Sequence, residues 1–268
     1  MRLANKVAIV SGAASGMGAA TARRFAKEGA KVVIADQLEG EGKIVAGEIE
    51  NAGGTAIYMP LNVTDEAGWN KVVADTVALY GRLDILVNNA GISGSAVNDL
   101  LESGIWDRVM AVNATGVFLG TAAAVRQMQK NGGGSIVNLS SISGVVGQTM
   151  VHMSYNASKG AVRTMTKATA VQFGKDGIRC NSIHPGLMPP MRTSGATADP
   201  TVRAKMLRAV PSRVSTSITH RSGSRPIARL ISASASGSGT SSSLCALYQP
   251  NRPSRSRICD SRRQPMPG

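Results

Sequence analysis

The chain has 268 residues, 43% of them hydrophobic and 17% charged, so it can bury one sizeable core and is too short for three ordinary domains. It lacks the roughly 18 uninterrupted apolar residues of a membrane span, and the apolar run at 7–10 is too short for a signal peptide. Its three cysteines, Cys180, Cys245 and Cys259, lie far apart without a C-x-x-C pair, which argues against a disulfide framework or a zinc cage. We expect a cytoplasmic protein with no membrane contact and no metal.

The net charge of +14 is distributed unevenly. Residues 1–210 carry 21 Lys and Arg against 15 Asp and Glu, whereas residues 211–268 carry nine Arg, one acid, fifteen Ser and six Pro. This change predicts one domain over 1–210 and a poorly ordered or loosely packed tail over 211–268. A frameshift near codon 211 would explain the change. Because Tyr248 is the tail's one aromatic residue, we do not predict nucleic-acid binding.

Short apolar runs alternate with amphipathic stretches through the first 210 residues, which is typical of βαβ units. The pattern predicts strands near 6–11, 31–35, 55–60, 84–88, 134–140 and 178–184. It predicts helices near 16–28, 38–51, 65–80, 99–129 (two, broken near Asn113) and 153–173. Because each predicted strand is almost entirely apolar, as a strand buried on both faces must be, the predicted fold is α/β, a Rossmann-like doubly wound parallel sheet.

A glycine-rich turn joins the first strand to the first helix. Glycine permits a sharp turn there and lets backbone N–H groups approach a diphosphate at the positive helix N-terminus. The predicted contacts with a dinucleotide are Gly12, Ser15, Gly16, Met17 and Gly18. The second strand ends at Asp36, whose carboxylate can accept both adenosine ribose hydroxyls and would repel a 2′-phosphate, so NAD is predicted in preference to NADP.

The spacing G-x-x-x-G-x-G, preceded by Ser11, resembles the short-chain dehydrogenase/reductase family, whose usual opening has Thr at that position. The further matching residues are Asn88, Asn89, Ala90, Gly91, Asn113, Ser140, Ser141, Tyr155, Lys159, Pro185 and Gly186. The resemblance covers residues 3–210 and is greatest to hydroxysteroid dehydrogenases and 3-oxoacyl reductases. It implies a nicotinamide-dependent oxidoreductase that interconverts a secondary alcohol and a ketone, plausibly alicyclic or steroid-like.

Tyr155 and Lys159 are four residues apart on a predicted helix, which places them on one face. A phenol with an ordinary pKa near 10 must have its phenolate stabilised to act near neutral pH, and a nearby ammonium can do this. The resemblance implies that Tyr155 exchanges a proton with the substrate oxygen and that Ser141 hydrogen-bonds it. Lys159 would lower the phenol pKa and bind the nicotinamide ribose, and Asn113 would hold a water linked to solvent. Strand alternation favours Ser141 over Ser140.

The resemblance also implies further cofactor contacts. Asn62 and Val63 stand where the family has Asp-Val against adenine, and Asn88, Asn89, Ala90, Gly91, Pro185 and Gly186 would line other parts of the cofactor. We interpret His184 as a strand-end residue rather than a ligand. His152 lies closer to Tyr155 and could face the substrate.

The family's usual continuation after the sixth strand is not found beyond Val210. Losing it would leave the sixth strand as an uncovered sheet edge. It would also put in doubt the homotetramer that the resemblance implies, although small residues along 157–173 suggest either a subunit interface or packing on the sheet. The alternative function is therefore a nucleotide-binding but catalytically crippled family member.

Overall fold

The computed structural model describes residues 1–94, 99–148, 151–188, 199–209 and 217–220. The strands are β1 (Val7–Ser11), β2 (Lys31–Asp36), β3 (Thr55–Pro60), β4 (Ile85–Asn88), β5 (Gly134–Leu139), β6 (Ile178–Pro185) and β7 (Ser217–His220). The helices are α1 (Gly16–Lys27), α2 (Glu39–Asn51), α3 (Glu66–Tyr80), α4 (Ser103–Met110), α5 (Gly116–Lys130), α6 (Met153–Phe173) and α7 (Pro200–Ala209).

The strands form one sheet in the order β3-β2-β1-β4-β5-β6-β7, in which all pairs are parallel except β6 with β7. The Rossmann-like fold predicted from the apolar runs is confirmed. Chain order reverses between β1 and its neighbour β4, and ligands bind at such a reversal, beyond the carboxyl ends of the strands.

Both faces of the sheet are covered by helices, which is why the strands are apolar throughout. Alternate residues of β1 point to opposite sides, with Ala8 and Val10 in a core shared with α1 and α2, and Ile9 in a core shared with α3 and α5. All three are fully buried. The two cores leave the carboxyl edge of the sheet as the place where polar side chains collect.

From the unusual composition of the tail over 211–268 we had expected the outer edge of β6 to be uncovered. The structure shows that this edge is paired. Residues 217–220 pair antiparallel with β6, with Ser182 opposite His220 and Pro185 opposite Ser217. The expectation of an uncovered edge is therefore wrong along this stretch, because four residues within the Ser/Arg/Pro-rich segment suffice to form a ladder. The rest of the predicted tail, and with it the frameshift interpretation, lies outside the described residues.

A continuous helical stretch, 103–130, is long and apolar enough to cross a membrane by length and composition, but 56% of its apolar window is buried inside the fold. It contains the break expected near Asn113, since residues 111–115 form one π-helical turn between α4 and α5. More than half of the apolar window therefore packs inside the fold, and the irregular turn of this stretch carries Asn113.

Candidate active site

The turn between β1 and α1 can be built only with glycine at key positions. Gly12 and Gly16 have φ of 65° and 55°, in the left-handed region that other residues rarely adopt. A Cβ on Gly18 would lie 2.1 Å from the Gly12 carbonyl oxygen, and one on Gly12 would lie 2.7 Å from Ala90 Cα. The glycines therefore allow the turn to pack tightly against β4.

The hydroxyl of Ser11, the residue before the first glycine, holds the turn by hydrogen bonds. Its Oγ accepts the N–H of Asn89 at 3.1 Å and of Ala90 at 3.2 Å, while Asn89 Nδ2 donates to the carbonyl oxygens of Ser11 and Gly12 at 2.9 and 3.0 Å. Asn89 and Ala90, which directly follow β4, thus hold the glycine turn in place. This reciprocal clamp fixes the turn before any ligand arrives.

The first turn of α1 presents backbone donors suited to an anion. Ser15 is the N-cap but its side chain makes no capping hydrogen bond, and the first turn carries no acidic residue. The N–H groups of Gly16, Met17 and Gly18 have no intrahelical acceptor at this position of a helix. Three such donors at a positive helix end, beside a glycine surface without Cβ atoms, fit the diphosphate of a dinucleotide.

Asp36 lies at the carboxyl end of β2, facing the same turn. Its Oδ2 accepts the N–H of Ala14 at 3.0 Å and its Oδ1 accepts the N–H of Leu38 at 3.1 Å. The side chain is partly buried. The carboxylate is therefore held in one position next to the glycine turn, where the remaining lone pairs of its oxygens can accept ribose hydroxyls.

Three other residues predicted to contact the cofactor differ in their free polar groups and in the space around them. Asn62 Oδ1 is used locally by the N–H and hydroxyl of Thr64, so its amide nitrogen is the group left to reach an adenine. Val63 is nearly buried, and its carbonyl accepts the Trp69 indole N–H at 3.0 Å. Gly91 has little room for a side chain, since a Cβ there would lie 3.2 Å from Asn113 Oδ1 and 3.5 Å from Lys159 Nζ.

We had expected the side chain of Asn88 to face the cofactor. In the structure it faces the core instead. It is 2% exposed, and its Nδ2 lies 2.9 Å from Asn138 Oδ1 and 3.1 Å from Thr121 Oγ1. Asn138 in turn donates to Thr166 Oγ1 at 3.0 Å. The pleat turns Asn88 inward and leaves Asn89 beside the glycine turn.

Tyr155 and Lys159 lie in the first two turns of α6, beside the carboxyl end of β5. Lys159 is 5% exposed, its Nζ donates to the Leu139 carbonyl oxygen at 2.8 Å, and it lies 5.7 Å from the centre of the Tyr155 ring. Helical spacing thus places a phenol and an ammonium together, as predicted. The Leu139 carbonyl, which sequence reasoning missed, fixes the ammonium.

Burial dominates the protonation of both groups. Desolvation raises the pKa of Tyr155 above its ordinary value, opposed in part by a hydrogen bond with Ser141, and it lowers the pKa of Lys159 to about 8. For the phenol, desolvation outweighs the Ser141 hydrogen bond, and the lowering of its pKa by Lys159 stays a prediction. At neutral pH the phenol holds its proton, which suits a general acid.

The two serines at the end of β5 have separate tasks. Ser140 Oγ donates to the Lys159 carbonyl oxygen at 2.8 Å and so ties β5 to α6. Ser141 Oγ accepts the N–H of Ser143 at 3.1 Å and also interacts with the Tyr155 phenol. The geometry favours Ser141 as the serine beside the reacting oxygen.

Asn113 is completely buried in the π-helical turn, and both ends of its amide are used. Oδ1 accepts the N–H of Ile92 at 2.9 Å and Nδ2 donates to the Ile92 carbonyl at 2.8 Å. Its side chain therefore anchors the loop after β4. Its Nδ2 also donates to Ser158 Oγ at 3.3 Å, and sequence reasoning missed these partners.

His184, at the end of β6, is buried beside Ser141. Its Nδ1 lies 3.1 Å from the Ser141 carbonyl oxygen and its Nε2 lies 2.9 Å from Ser182 Oγ. Both ring nitrogens have partners, as expected of a structural strand-end residue. Pro185, the last residue of β6, is buried, and Gly186 follows it, partly exposed, at the carboxyl edge of the sheet.

Two further features complete the description of the site. Within the described ranges, no group of three or more His, Cys, Asp and Glu side chains could hold a metal. Arg203 of α7 donates to the Met188 carbonyl oxygen at 2.5 Å, which ties α7 to the segment after β6. No pattern in the sequence predicts that link.

Comparison with known proteins agrees with this geometry. Residues 6–199 match the family model for short chain dehydrogenases. The 3-alpha-(or 20-beta)-hydroxysteroid dehydrogenase of Mycobacterium tuberculosis is 48% identical over 198 residues, 74% of this chain and 75% of that protein. The trans-4-hydroxycyclohexanecarboxylate dehydrogenase of Sinomonas cyclohexanicum is 44% identical over 72% of this chain and 76% of that protein.

A solved short-chain type dehydrogenase/reductase from Mycobacterium marinum superimposes with a TM-score of 0.70 at 33% identity, covering 74% of this chain and 78% of that one. The family match spans strands β1 to β6, the glycine turn and the helix that carries Tyr155 and Lys159. The chain belongs to the short-chain dehydrogenase family and is an oxidoreductase that acts on CH–OH groups.

Proposed function

We propose that the protein interconverts a secondary alcohol and a ketone with NAD, on an alicyclic or steroid-like substrate. The observation that carries the proposal is the placement of Ser141, Tyr155 and Lys159 around one point at the carboxyl edge of the sheet, next to the glycine turn. The relatives named for a hydroxysteroid and for a hydroxycyclohexane carboxylate support this substrate class.

The proton chemistry belongs to this chain's own residues. Tyr155, protonated at neutral pH, donates its proton to the ketone oxygen, and Ser141 hydrogen-bonds that oxygen and holds it in place. Lys159, fixed by the Leu139 carbonyl, orients the ribose next to the nicotinamide. The nicotinamide dinucleotide, when bound, supplies or accepts the hydride. In the oxidation direction the base is the phenolate of Tyr155, so the phenol must first lose its proton before it can take the proton of the alcohol.

The cofactor would be held by the backbone donors of Gly16, Met17 and Gly18 and by the carboxylate of Asp36. NAD is proposed in preference to NADP because Asp36 is fixed at the ribose end and a 2′-phosphate there would meet a negative charge. The neighbouring turn residues, Ser11 to Met17, offer no cationic side chain to neutralise it.

Oxidation of cyclohexanol followed by NADH absorbance tests the proposal, with NADP⁺ in a parallel assay. We expect turnover with NAD⁺ at least tenfold more efficient than with NADP⁺. Equal or better turnover with NADP⁺ would overturn the cofactor assignment. Binding of NADH without turnover of any secondary alcohol or ketone would instead favour the catalytically crippled alternative.

Assembly and location remain predictions. Ala157, Ala161, Met165 and Ala168 on α6 are at least partly exposed in the single chain, while the buried face of that helix carries Ser158, Val162 and Thr166. The small-residue face is therefore available for a subunit contact, in line with the homotetramer that the family implies. Light scattering of the purified protein would measure the assembly. A cytoplasmic location and no binding to nucleic acid are likewise expected.

A further inference from the structure

His152 begins α6 and caps it with one of its ring nitrogens. Nδ1 accepts the N–H of Ser154 at 3.2 Å and lies 2.7 Å from the Ser154 hydroxyl. An amide N–H can only donate, so Nδ1 must present its lone pair. In the neutral ring the proton is then on Nε2, and the cap sets the tautomer.

That second nitrogen is a buried donor. His152 is 2% exposed, and among the residues that the structure describes Nε2 has no hydrogen-bond partner. The neighbouring histidine of the site, His184, has partners for both of its nitrogens. A buried polar group without a partner is destabilising and calls for an explanation, such as a role in the chemistry of the site or a contact that a bound molecule supplies.

The position of His152 relative to the catalytic group is set by the helix. Its carbonyl accepts the Tyr155 N–H at 2.9 Å, and residues three apart at a helix start lie on the same face. Its own N–H donates to the Gly94 carbonyl at 3.4 Å, and a Cβ on Gly94 would lie 3.6 Å from His152 Cβ.

The loop that meets His152 also reaches the reaction centre. Gly91, three residues before Gly94, lies beside Lys159 Nζ and Asn113 Oδ1, so one short loop runs from the buried ammonium to the histidine. His152 is therefore enclosed between this loop and the first turn of α6. Both of these elements also contact the Tyr155 and Lys159 pair.

The geometry points to His152 as a substrate-specificity residue whose Nε2–H donates to a second oxygen of the substrate. This inference depends on the proposed function, since Tyr155 and Ser141 take the reacting oxygen. The favoured substrates are cyclic alcohols that carry a further hydroxyl, carbonyl or carboxylate oxygen. One neutral hydrogen bond corresponds to about a tenfold preference, and one to a carboxylate to up to about a hundredfold.

The preference is measured as the ratio of kcat/KM for a cyclohexanediol to kcat/KM for cyclohexanol. The 1,2-, 1,3- and 1,4-diols place the second oxygen at three distances, and we expect at least one to be preferred by the unmodified protein. The variant His152→Ser keeps a side-chain oxygen to cap α6 but removes the Nε2 donor. Its ratio for the preferred diol should fall tenfold or more.

Met153→Ala is the matched control, because Met153 is the next residue of the helix and is half exposed, and it should leave the ratio unchanged. The inference alone is wrong if cyclohexanol is oxidised but no diol is preferred, or if His152→Ser lowers both activities in parallel. If the unmodified protein oxidises none of these alcohols, the proposed function fails and the inference falls with it.

Discussion

The glycine turn at 11–18 and the group of Ser141, Tyr155 and Lys159 lie at the same edge of the sheet, but they are held in different ways. The turn is positioned by backbone conformation and by neutral hydrogen bonds from Ser11 and Asn89. The catalytic group consists of ionisable side chains whose pKa values are shifted mainly by burial.

The difference indicates that the two regions should respond to different kinds of substitution. At the turn, an added atom or a lost acceptor disturbs geometry, and cofactor binding should suffer whatever the pH. Around Tyr155, a substitution alters charge and proton transfer, so turnover should change with pH while the fold and the cofactor site persist. The predictions below test this contrast.

The largest effect on cofactor binding is expected for Gly18→Ala. A Cβ there would lie 2.1 Å from the Gly12 carbonyl oxygen, so the turn must open to admit it. We expect cofactor affinity to fall about a hundredfold or more, corresponding to about 3 kcal/mol. Titration with NADH measures this, and affinity within threefold of the unmodified protein would contradict the account of the turn.

Gly47→Ala provides the control with the same chemical change. Gly47 lies within α2 and a Cβ there meets nothing within 4 Å. Since alanine favours a helix over glycine by up to about 1 kcal/mol, this variant should be slightly more stable and bind NADH normally.

An intermediate effect is expected for Lys159→Met. Burial lowers the lysine pKa from 10.5 to about 8, so a charged ammonium at pH 7 destabilises the fold by about 3 kcal/mol before its hydrogen bond to Leu139 is counted. Turnover should drop sharply. Yet the variant should be the more stable protein at pH 7, as measured by urea unfolding.

This stability difference should depend on pH with a definite sign. Between pH 8 and 10.5 the unfolded lysine retains a proton that the folded one has lost, so the stability of the unmodified protein rises relative to the variant. The advantage of the methionine variant should therefore shrink as pH rises from 7 to 9.5. A difference independent of pH would show that burial does not shift this group.

The smallest effect is expected for Ser11→Ala. Removing Oγ leaves the N–H groups of Asn89 and Ala90 without their acceptor, which should destabilise the protein by about 1–3 kcal/mol. Ser11→Thr keeps the hydroxyl and should stay within about 1 kcal/mol. Thermal unfolding of the pair checks this, and equal melting of both variants would show that the hydroxyl does not hold the turn.

Much of the fold could be predicted from the sequence, because its signals are local. The apolar runs place β1 to β6 to within a residue of their observed ends, and the break at Asn113 matches the π-helical turn. Helix α7 was missed although it carries a local signal. Asp199 caps the N–H groups of Thr201 and Val202, and Pro200 occupies the first helical position, where proline is favoured.

The parts that could not be predicted depend on long-range contacts. Spacing brings Tyr155 and Lys159 together, but it cannot show that Leu139 fixes the ammonium or that burial raises the phenol pKa. It also cannot show that Asn88 turns inward to Asn138 or that both ends of the Asn113 amide bind the backbone of Ile92. Pairing of 217–220 with β6 was unforeseen for the same reason.

Tyr155→Phe tests the central claim most directly, since it removes one oxygen from the proton-transfer group and nothing from the glycine turn. The measurement is kcat for oxidation of a cyclic secondary alcohol alongside the dissociation constant for NADH. We predict that kcat falls about 10²–10⁴-fold while NADH affinity stays within about twofold. Turnover at the level of the unmodified protein, with NADH still bound, would contradict the assignment of the phenol as the proton donor.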